Sequence, residues 1–311
     1  MLSAMTSLKN SVSGSDPAGI HAPVLVSEVI DALCPSPGDV LLDATVGMGG
    51  HSSLLLKHEP GIKKLLAMDW DEHALAMAKK RLGGHGKRVR FYQGNFLDMD
   101  AILHEEGEPG FNGILMDLGV SSFQLDQSGR GFSFLRDEPL DMRMDRSGTI
   151  TAADMLNKLP VERLEELIRL YGEERWAGKI SKAILARRSK RPILSTKELA
   201  DIIASSIPKR FHPKKIHPAT RTFQALRIAV NRELENLTGA LEKASECLLP
   251  GGRLVVISFH SLEDRIVKHY VKRDTSLKVL TKRPVVPGPG ETVFNPRARS
   301  AKLRAAVKSE P

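Results

Sequence analysis

Three aspartates in the first 120 residues are suited to chemistry, because each follows an apolar run: Asp43, Asp69 and Asp117. A carboxylate accepts hydrogen bonds from sugar hydroxyls and amino groups, and it can take a proton from a reacting nitrogen. One such aspartate is commonly a turn or cap residue, whereas three in succession favour a ligand site. Ligands of open α/β sheets bind outside the carboxyl ends of the strands, which is where these residues would lie.

A glycine-rich turn, Gly47-Met48-Gly49-Gly50, follows the first aspartate and leads into a predicted helix at His51. Glycine lets a ligand approach the main chain closely. A dinucleotide site requires the spacing Gly-x-Gly-x-x-Gly, with an acid about 20 residues further on. Asp69 supplies an acid that NAD and S-adenosylmethionine enzymes share, but the third glycine is missing. The turn therefore favours S-adenosylmethionine, which has no pyrophosphate, over a nicotinamide dinucleotide.

Two further residues, one after the third expected strand and one after the fourth, extend this site. Phe96 follows the third strand, where its ring either packs in the core or faces an adenine. Asp117 follows the fourth strand and opens a tight loop. The exocyclic amine of a nucleobase is a poor nucleophile because its lone pair is delocalised, and an acceptor such as Asp117 would hold its N–H. Methyl transfer then needs mainly alignment of donor and acceptor, without a metal or a covalent intermediate.

Alternating strands and helices would position these residues. Such alternation predicts an α/β fold with a doubly wound, mostly parallel sheet and helices on both faces. The expected strands are 40–43, 64–69, 89–93, 113–117 and 253–259, with two short ones at 277–281 and 302–307; the helices between them are 51–58, 72–82 and 262–273.

The strand pattern stops between residues 125 and 219, where four helical segments (151–156, 161–170, 173–186 and 196–205) predict an inserted all-helical domain. One long amphipathic helix, 219–248, would lead back to the sheet. We therefore expect a flexible tail at 1–20, a discontinuous catalytic domain at 21–125 and 220–311, and a helical insertion at 126–219 that recognises the substrate.

The charge distribution favours a nucleic-acid partner. The net charge is +9, and the stretch 206–232 contains seven Lys and Arg residues but no Asp or Glu. Either this stretch is a solvated face, or it binds phosphates. We predict substrate contacts in and before it, at Arg130, Arg143, Lys214, Lys215 and Arg221; for the first two, internal ion pairs with nearby acids are the alternative.

Composition excludes several classes of protein. No apolar run approaches the roughly 20 residues that span a bilayer. The two cysteines, Cys34 and Cys247, cannot form a disulfide framework, which fits a reducing compartment. The first 20 residues have neither the apolar core of a secretory signal nor the basic character of a transit peptide. We therefore expect a cytoplasmic protein.

Seven motifs in order resemble one family, the bacterial 16S ribosomal RNA cytosine-N4 methyltransferases (MraW or RsmH), from residue 21 to the C-terminus. They are His21-Ala-Pro-Val-Leu, Asp43-Ala-Thr-Val-Gly-Met-Gly-Gly-His51, Asp117-Leu-Gly-Val-Ser-Ser-Phe-Gln-Leu-Asp126, Gly129-Arg-Gly-Phe-Ser-Phe134, Pro139-Leu-Asp-Met-Arg-Met-Asp145, His217-Pro-Ala-Thr-Arg-Thr-Phe-Gln-Ala-Leu-Arg227 and Ser258-Phe-His-Ser-Leu-Glu-Asp264.

The resemblance implies a Rossmann-like methyltransferase fold, S-adenosylmethionine as cofactor, and N4 methylation of a cytosine in the decoding centre of the small ribosomal subunit. It makes 16S ribosomal RNA the partner and leaves monomer and homodimer open. Two alternatives remain, a non-catalytic RNA-binding or ribosome-assembly factor and an NAD-type oxidoreductase. The implied cofactor contacts are Gly49, Gly50, His51, Asp69, Phe96, Asp117 and Gln124.

Overall fold

A seven-stranded sheet with the strand order β3-β2-β1-β4-β5-β7-β6 forms the centre of the computed structural model, which describes residues 23–121, 124–125 and 129–310. Strands β1 to β5 run parallel, and β7 runs antiparallel to both of its neighbours, β5 and β6. The mostly parallel sheet is thus confirmed. The strands are β1 Val40–Asp43, β2 Lys64–Asp69, β3 Val89–Gln93, β4 Phe111–Asp117, β5 Leu248–Ser258, β6 Leu277–Val279 and β7 Lys302–Lys308.

Helices cover both faces of the sheet, because the strands in its middle are apolar on both sides. All four residues of β1 are buried: Leu42 contributes to the core on one face, and Leu41 to the core on the other. The first face carries α4 Met99–Glu105, α10 Glu233–Cys247 and α11 Ser261–Arg273; the second carries α1 Val26–Leu33, α2 Gly50–His58 and α3 Glu72–Leu82, while α12 Pro289–Phe294 precedes β7.

A separate bundle of five helices follows β4 and has its own hydrophobic core. Ile168, Ile184 and Ile203 are fully buried in this core, which is the helical insertion that the sequence predicts. Three of the four predicted segments have nearly the expected bounds, while the third begins four residues later than expected. The bundle helices are α5 Ala152–Lys158, α6 Val161–Gly172, α7 Ala177–Arg188, α8 Thr196–Ser206 and α9 Thr220–Asn231.

The prediction of one helix over 219–248 is wrong, because the helix is interrupted at Arg232. Arg232 has a left-handed backbone (φ 50°), ends α9 and precedes α10. Phe223 and Leu226 of α9 pack in the core of the bundle, whereas Leu237 and Leu241 of α10 pack on the sheet. The two halves must point in different directions to reach these cores, and a straight helix could not serve both. Packing therefore assigns α9 to the bundle, although the expected division placed it in the catalytic domain.

Some expectations fall on residues that the structure does not describe. The tail at 1–20 lies outside the described residues, as does His21, and so do residues 122–123 and 126–128 of the loop after β4. The division into a catalytic and a substrate-recognising domain stays a prediction. Within the described ranges, no helix is long and apolar enough to cross a membrane.

Gly172 should be required where α6 crosses α9. A methyl group added there would lie 2.6 Å from the carbonyl oxygen of Arg221, which is closer than van der Waals contact allows. We expect Gly172→Ala to destabilise the bundle by about 1–3 kcal/mol, as overpacking typically does. Urea unfolding followed by tryptophan fluorescence measures this, because Trp176 lies within the bundle.

Gly84→Ala is the matched control, since a methyl group at Gly84 would meet no atom within 4 Å. Equal urea midpoints for the two variants would show that the α6–α9 crossing tolerates a side chain.

Candidate active site

One cavity opens at the carboxyl ends of β1, β2 and β4 and continues toward the bundle. Its wall contains Asp69 and Asp117 at the ends of their strands. The third aspartate of the pattern, Asp43, is buried beneath the wall and accepts a hydrogen bond from the Ser52 hydroxyl at 2.6 Å. Two of the three aspartates therefore line the cavity, and the third supports the glycine turn from below.

The glycine turn forms one side of this cavity. Gly47 and Gly49 both have left-handed backbones, with φ of 52° and 78°. A methyl group at Gly47 would meet no atom closer than the Thr45 carbonyl oxygen at 3.9 Å, so the turn presents bare main chain to the cavity. Gly50 packs against Pro23, to which an added Cβ would approach within 3.2 Å. The three glycines thus have different roles, and Gly47 is the one that leaves room for a ligand.

Asp69 fixes the turn from the end of β2. Its carboxylate accepts hydrogen bonds from the backbone N–H of Gly47 at 2.8 Å and from that of Asp71 at 2.9 Å. Burial raises the pKa of Asp69 to about 6, against the lowering effect of these two hydrogen bonds. Since each carboxylate oxygen can accept more than one bond, Asp69 can still bind hydroxyl groups in the cavity.

An aromatic side chain and an amide complete the end of the cavity that the glycine turn and Asp69 form, which we call the cofactor end. The Phe96 ring is buried and meets Trp70 edge-to-face, with ring centroids 5.8 Å apart. Both rings line the cavity. Gln124 is buried as well; its side-chain oxygen accepts the backbone N–H of Ser121, and its Nε2 donates to Asp71 at 2.8 Å. The structure therefore brings the implied residues Phe96 and Gln124 to the same cavity as the glycine turn.

Asp71 joins the cofactor end of the cavity to the helical insertion. Besides Gln124, its carboxylate binds the guanidinium of Arg130, which also donates to the carbonyls of Arg143 and Met144 at 3.2 Å. Burial works to raise the pKa of Asp71, but the bonds from Arg130 and Gln124 hold it below its usual value. Arg130 is only 6% exposed. Its placement favours a structural role, and a contact with substrate stays a prediction.

His51 and Asp117 meet in the middle of the cavity. The ring Nε2 of His51 lies 2.8 Å from the carbonyl oxygen of Val24, to which it can only donate. Burial lowers the pKa of His51, which favours the neutral ring. The unprotonated Nδ1 then faces the Asp117 carboxylate at 3.6 Å. His51 thus presents a lone pair, rather than a positive charge, to Asp117.

Asp117 has one oxygen with no partner. Oδ1 is buried and makes no hydrogen bond, while the backbone N–H of the same residue donates to the Thr45 hydroxyl at 2.6 Å. Burial raises the pKa of Asp117 to about 7, and the negative charge of Glu263 adds to this rise. A buried carboxylate oxygen without a partner is unusual. The side chain as a whole is 25% exposed and lines the cavity, so its carboxylate can accept a hydrogen bond there.

Glu263, Glu233 and Phe259 line the far end of the cavity, and the sequence analysis did not single out these side chains. Glu263 accepts the backbone N–H of Phe259 at 2.8 Å. Burial would raise the pKa of Glu263, but the hydrogen bond and charge of His260 and the charge of Arg227 hold it below its usual value. The motif Ser258-Phe-His-Ser-Leu-Glu-Asp264 was a signal for Glu263, but only the fold shows that it faces Asp117.

His260, Glu263 and Glu233 also have ligand atoms within 4.8 Å of one another, a spacing that a metal ion could bridge. Both carboxylates already have partners. Glu233 accepts two hydrogen bonds from Arg227 at 2.9 Å, and Glu263 pairs with His260 at 3.1 Å. The cluster is therefore explained as an ion-pair network.

The predicted substrate residues fall into two groups. Arg143 is bound to Asp141, the internal ion pair expected as the alternative. Arg221 donates to the Glu173 carbonyl at 3.3 Å and forms an ion pair with Glu174 at 4.0 Å. Lys214 and Lys215 are exposed on the segment between α8 and α9, and in the part of the chain described here neither has a carboxylate partner. Only the two lysines of this set are both exposed and unneutralised.

The cavity residues fit S-adenosylmethionine. The bare main chain at Gly47 leaves room for its methionine part, the Asp69 carboxylate can bind its ribose hydroxyls, and the two aromatic rings can pack against its adenine. Together with the parallel sheet and its antiparallel seventh strand, this site defines an S-adenosylmethionine-dependent methyltransferase of Rossmann-like fold.

The chain belongs to the MraW methylase family, whose model matches residues 18–309. It is 50% identical over 306 residues to a ribosomal RNA small subunit methyltransferase H of Trichlorobacter lovleyi, a match that covers 93% of this chain and 98% of the relative. Proteins of the same name from Desulfotalea psychrophila and a Cyanothece species are 47% and 51% identical, each over 94% of this chain and over 99% and 96% of the relatives.

Replacing Asp69 should weaken cofactor binding. In Asp69→Asn an amide N–H₂ would oppose the backbone N–H of Gly47 or Asp71, so the turn would lose one of its two hydrogen bonds. Such a bond to a charged group contributes about 1.5–3 kcal/mol, which corresponds to roughly 10- to 100-fold in the dissociation constant of S-adenosylmethionine. Isothermal titration calorimetry measures this constant.

The control is Glu72→Gln, which makes the same chemical change on the exposed first turn of α3. If both variants bound the cofactor as tightly as the wild type, Asp69 would not support the binding turn.

Proposed function

We propose that this protein transfers a methyl group from S-adenosylmethionine to N4 of a cytosine in 16S ribosomal RNA, in the decoding centre of the small subunit. The relatives carry the name ribosomal RNA small subunit methyltransferase H, which supports the RNA substrate. The observation that carries the reaction type is the Asp117 carboxylate, which lines the cavity and has one oxygen without a hydrogen-bond partner.

Two carboxylates, Asp117 in the middle of the cavity and Glu263 at its far end, favour an amino group as the methyl acceptor. Ionised Asp117 and Glu263 can only accept hydrogen bonds, and both side chains line the cavity. Cytosine presents its N4 amino group as a donor, for which Asp and Glu are the matching side chains. Uracil has an oxygen at the equivalent position, and this oxygen would be repelled. The two acceptors therefore support a base with an exocyclic amine as the substrate.

The environments of the two carboxylates assign their roles. Glu263 stays ionised because His260 and Arg227 stabilise its charge, while the pKa of Asp117 is raised to about 7. Two titratable groups with pKa values pushed apart typically divide the work of binding and proton transfer. When bound, S-adenosylmethionine would supply an electrophilic methyl group, and the electron pair of its broken S–C bond would stay on the departing sulfur. Asp117 accepts the N–H of the attacking amine and takes the proton that the nitrogen loses as its new N–C bond forms.

The bundle offers RNA a cationic surface. Lys214 and Lys215 are exposed on it, and the described residues provide no counter-charge to either. Unneutralised lysines bind phosphates and release counterions. This supports RNA as the substrate that approaches the cavity from the bundle, and it agrees with a cytoplasmic protein, which we retain as part of the proposal.

A non-catalytic RNA-binding factor is the second candidate. It would not need a buried acceptor beside the cofactor end, and an unpartnered carboxylate oxygen costs stability. The structure therefore favours catalysis. The test is transfer of labelled methyl from S-adenosylmethionine to small subunits that lack the modification, followed by nucleoside analysis. Label in N4-methylated cytidine is expected; label in another nucleoside, or none, contradicts the proposal.

Asp117→Asn should abolish methyl transfer. The amide cannot take a proton, and general-base contributions are typically about 10²- to 10⁴-fold in rate. In the wild type only the ionised carboxylate is active. Because burial raises the pKa of Asp117 to about 7, the rate should rise as pH increases through 7 and level off above it. Single-turnover rates between pH 5.5 and 8.5 measure both effects.

Binding of S-adenosylmethionine by Asp117→Asn, together with its circular dichroism, controls for folding. The Asp117→Ala variant should also retain its fold without transferring methyl. Wild-type turnover in either variant would eliminate Asp117 as the proton acceptor.

The double variant Lys214→Glu/Lys215→Glu should bind RNA more weakly and with a flatter salt dependence. Each phosphate contact contributes roughly 0.7 to the slope of log affinity against log salt for single-stranded RNA. The slope should therefore fall by about 1 to 2. Fluorescence anisotropy with labelled RNA at several salt concentrations measures the slope; an unchanged slope would mean that this segment is a solvated face.

A further inference from the structure

Two aromatic rings on the outer side of the bundle lie against each other. Trp176 immediately precedes α7, and Phe211 lies on the turn that follows α8. Their ring centroids are 5.2 Å apart, with planes inclined by 43°. Phe211 is 38% exposed, while Trp176 is partly buried against the bundle core, so the pair lies at the edge of this core with the Phe211 ring toward solvent.

Three cationic side chains are placed on these rings. The Arg175 guanidinium lies 5.5 Å from the centre of the Trp176 ring and 5.4 Å from that of Phe211. Lys179 Nζ lies 4.8 Å from the centre of the Trp176 ring, and the Arg210 guanidinium 4.8 Å from that of Phe211. All three residues are exposed. Cation–π contact orders long side chains that would otherwise lose conformational entropy when they bind a ligand.

These cations differ from their neighbours in having no acidic partner. Arg163 and Arg169 of α6 and Arg187 of α7 each form an ion pair with a glutamate. In the described part of the chain, no carboxylate oxygen lies within 4 Å of the charged groups of Arg175, Lys179 or Arg210. Three positive charges are therefore held in place by rings rather than neutralised by acids.

We propose that Arg175, Lys179 and Arg210, ordered by Trp176 and Phe211, form the surface that binds the phosphate backbone of the RNA substrate. This inference rests on the proposed function and adds where the RNA chain is held outside the active cavity. The pattern fits a polyanion, because each cation keeps all of its N–H donors available. Arginine and lysine contacts to phosphates supply much of the affinity of proteins for nucleic acids.

A contact between the bundle and α11 brings this surface close to the active cavity. Glu173, which follows α6, accepts hydrogen bonds from the Ser261 hydroxyl and from Arg265 at 2.9 Å. Ser261 begins α11, beside the cavity residues Phe259 and Glu263. Trp176 is three residues from Glu173, a distance of at most about 11 Å for an extended chain. An RNA strand on this surface is therefore within reach of the cavity where its base reacts.

The test compares two variants of the full-length protein with the wild type, using a labelled mixed-sequence single-stranded RNA of 30 nucleotides as the probe. Arg175→Ala/Lys179→Ala/Arg210→Ala should weaken binding by about tenfold or more and lower the salt slope by about 2, since three phosphate contacts are lost. Phe211→Leu keeps every charge but removes a ring that two cations share. It should weaken binding about two- to fivefold.

The control is Lys57→Ala/Lys79→Ala/Lys80→Ala, which removes the same charge from exposed positions on α2 and α3. It should have little effect on the salt slope. Equal loss in this control, or wild-type binding by Phe211→Leu, would overturn the proposal, because bulk charge would then explain the affinity. An unchanged slope in the first triple variant would also overturn it and leave an acidic protein as the partner of this surface.

The measurement is independent of methyl transfer. Failure of the wild type to methylate cytosine would refute the proposed function and leave the binding result intact. Unchanged affinity of each variant for S-adenosylmethionine shows that the fold is preserved.

Discussion

The buried carboxylate of Asp71 connects the parts of this molecule that must act together. It caps α3 through the His73 N–H, binds Gln124 from the loop after β4, and pairs with Arg130 at the start of the helical insertion. A buried charge must be paired, and loss of one partner typically costs about 3–5 kcal/mol. This requirement positions the insertion over the cofactor end of the cavity. The core of the bundle and the cores of the sheet are thus joined by a polar link as well as by the chain.

The second constraint is electrostatic and concerns Asp117. The cavity places its carboxylate near Glu263, and the two cannot both be ionised without cost. His260 and Arg227 stabilise the charge on Glu263, so the pKa of Asp117 rises instead. His51 adds no positive charge, because burial lowers its pKa; the Val24 carbonyl then places the one ring proton on Nε2. In the proposed reaction, Glu263 therefore accepts hydrogen bonds and Asp117 takes a proton near neutral pH.

Most of the fold could be predicted from the sequence, since each element carries a local signal. Apolar runs that end in aspartate identified β1, β2 and β4, and β2, α3 and β3 have the expected bounds. The break at Arg232 had no such signal. The apolar pattern continues through it, and the residue in the left-handed region is an arginine rather than a glycine. Competition between two cores decided the direction of α9 and α10, and no local pattern records that competition.

The same division holds for the active site. The sequence by itself determined the cofactor end, because glycine spacing and strand-terminal acids are local in the chain. It also located the basic stretch, but not which of its charges remain unneutralised: Arg227 pairs with Glu233, whereas Lys214 and Arg210 have no acidic partner among the described residues. Only the tertiary structure decided that Glu263 faces Asp117 and that Arg130 is buried on Asp71. Pairing and burial depend on residues that are distant in the chain, so the pKa of Asp117 is set by the fold rather than by its own motif.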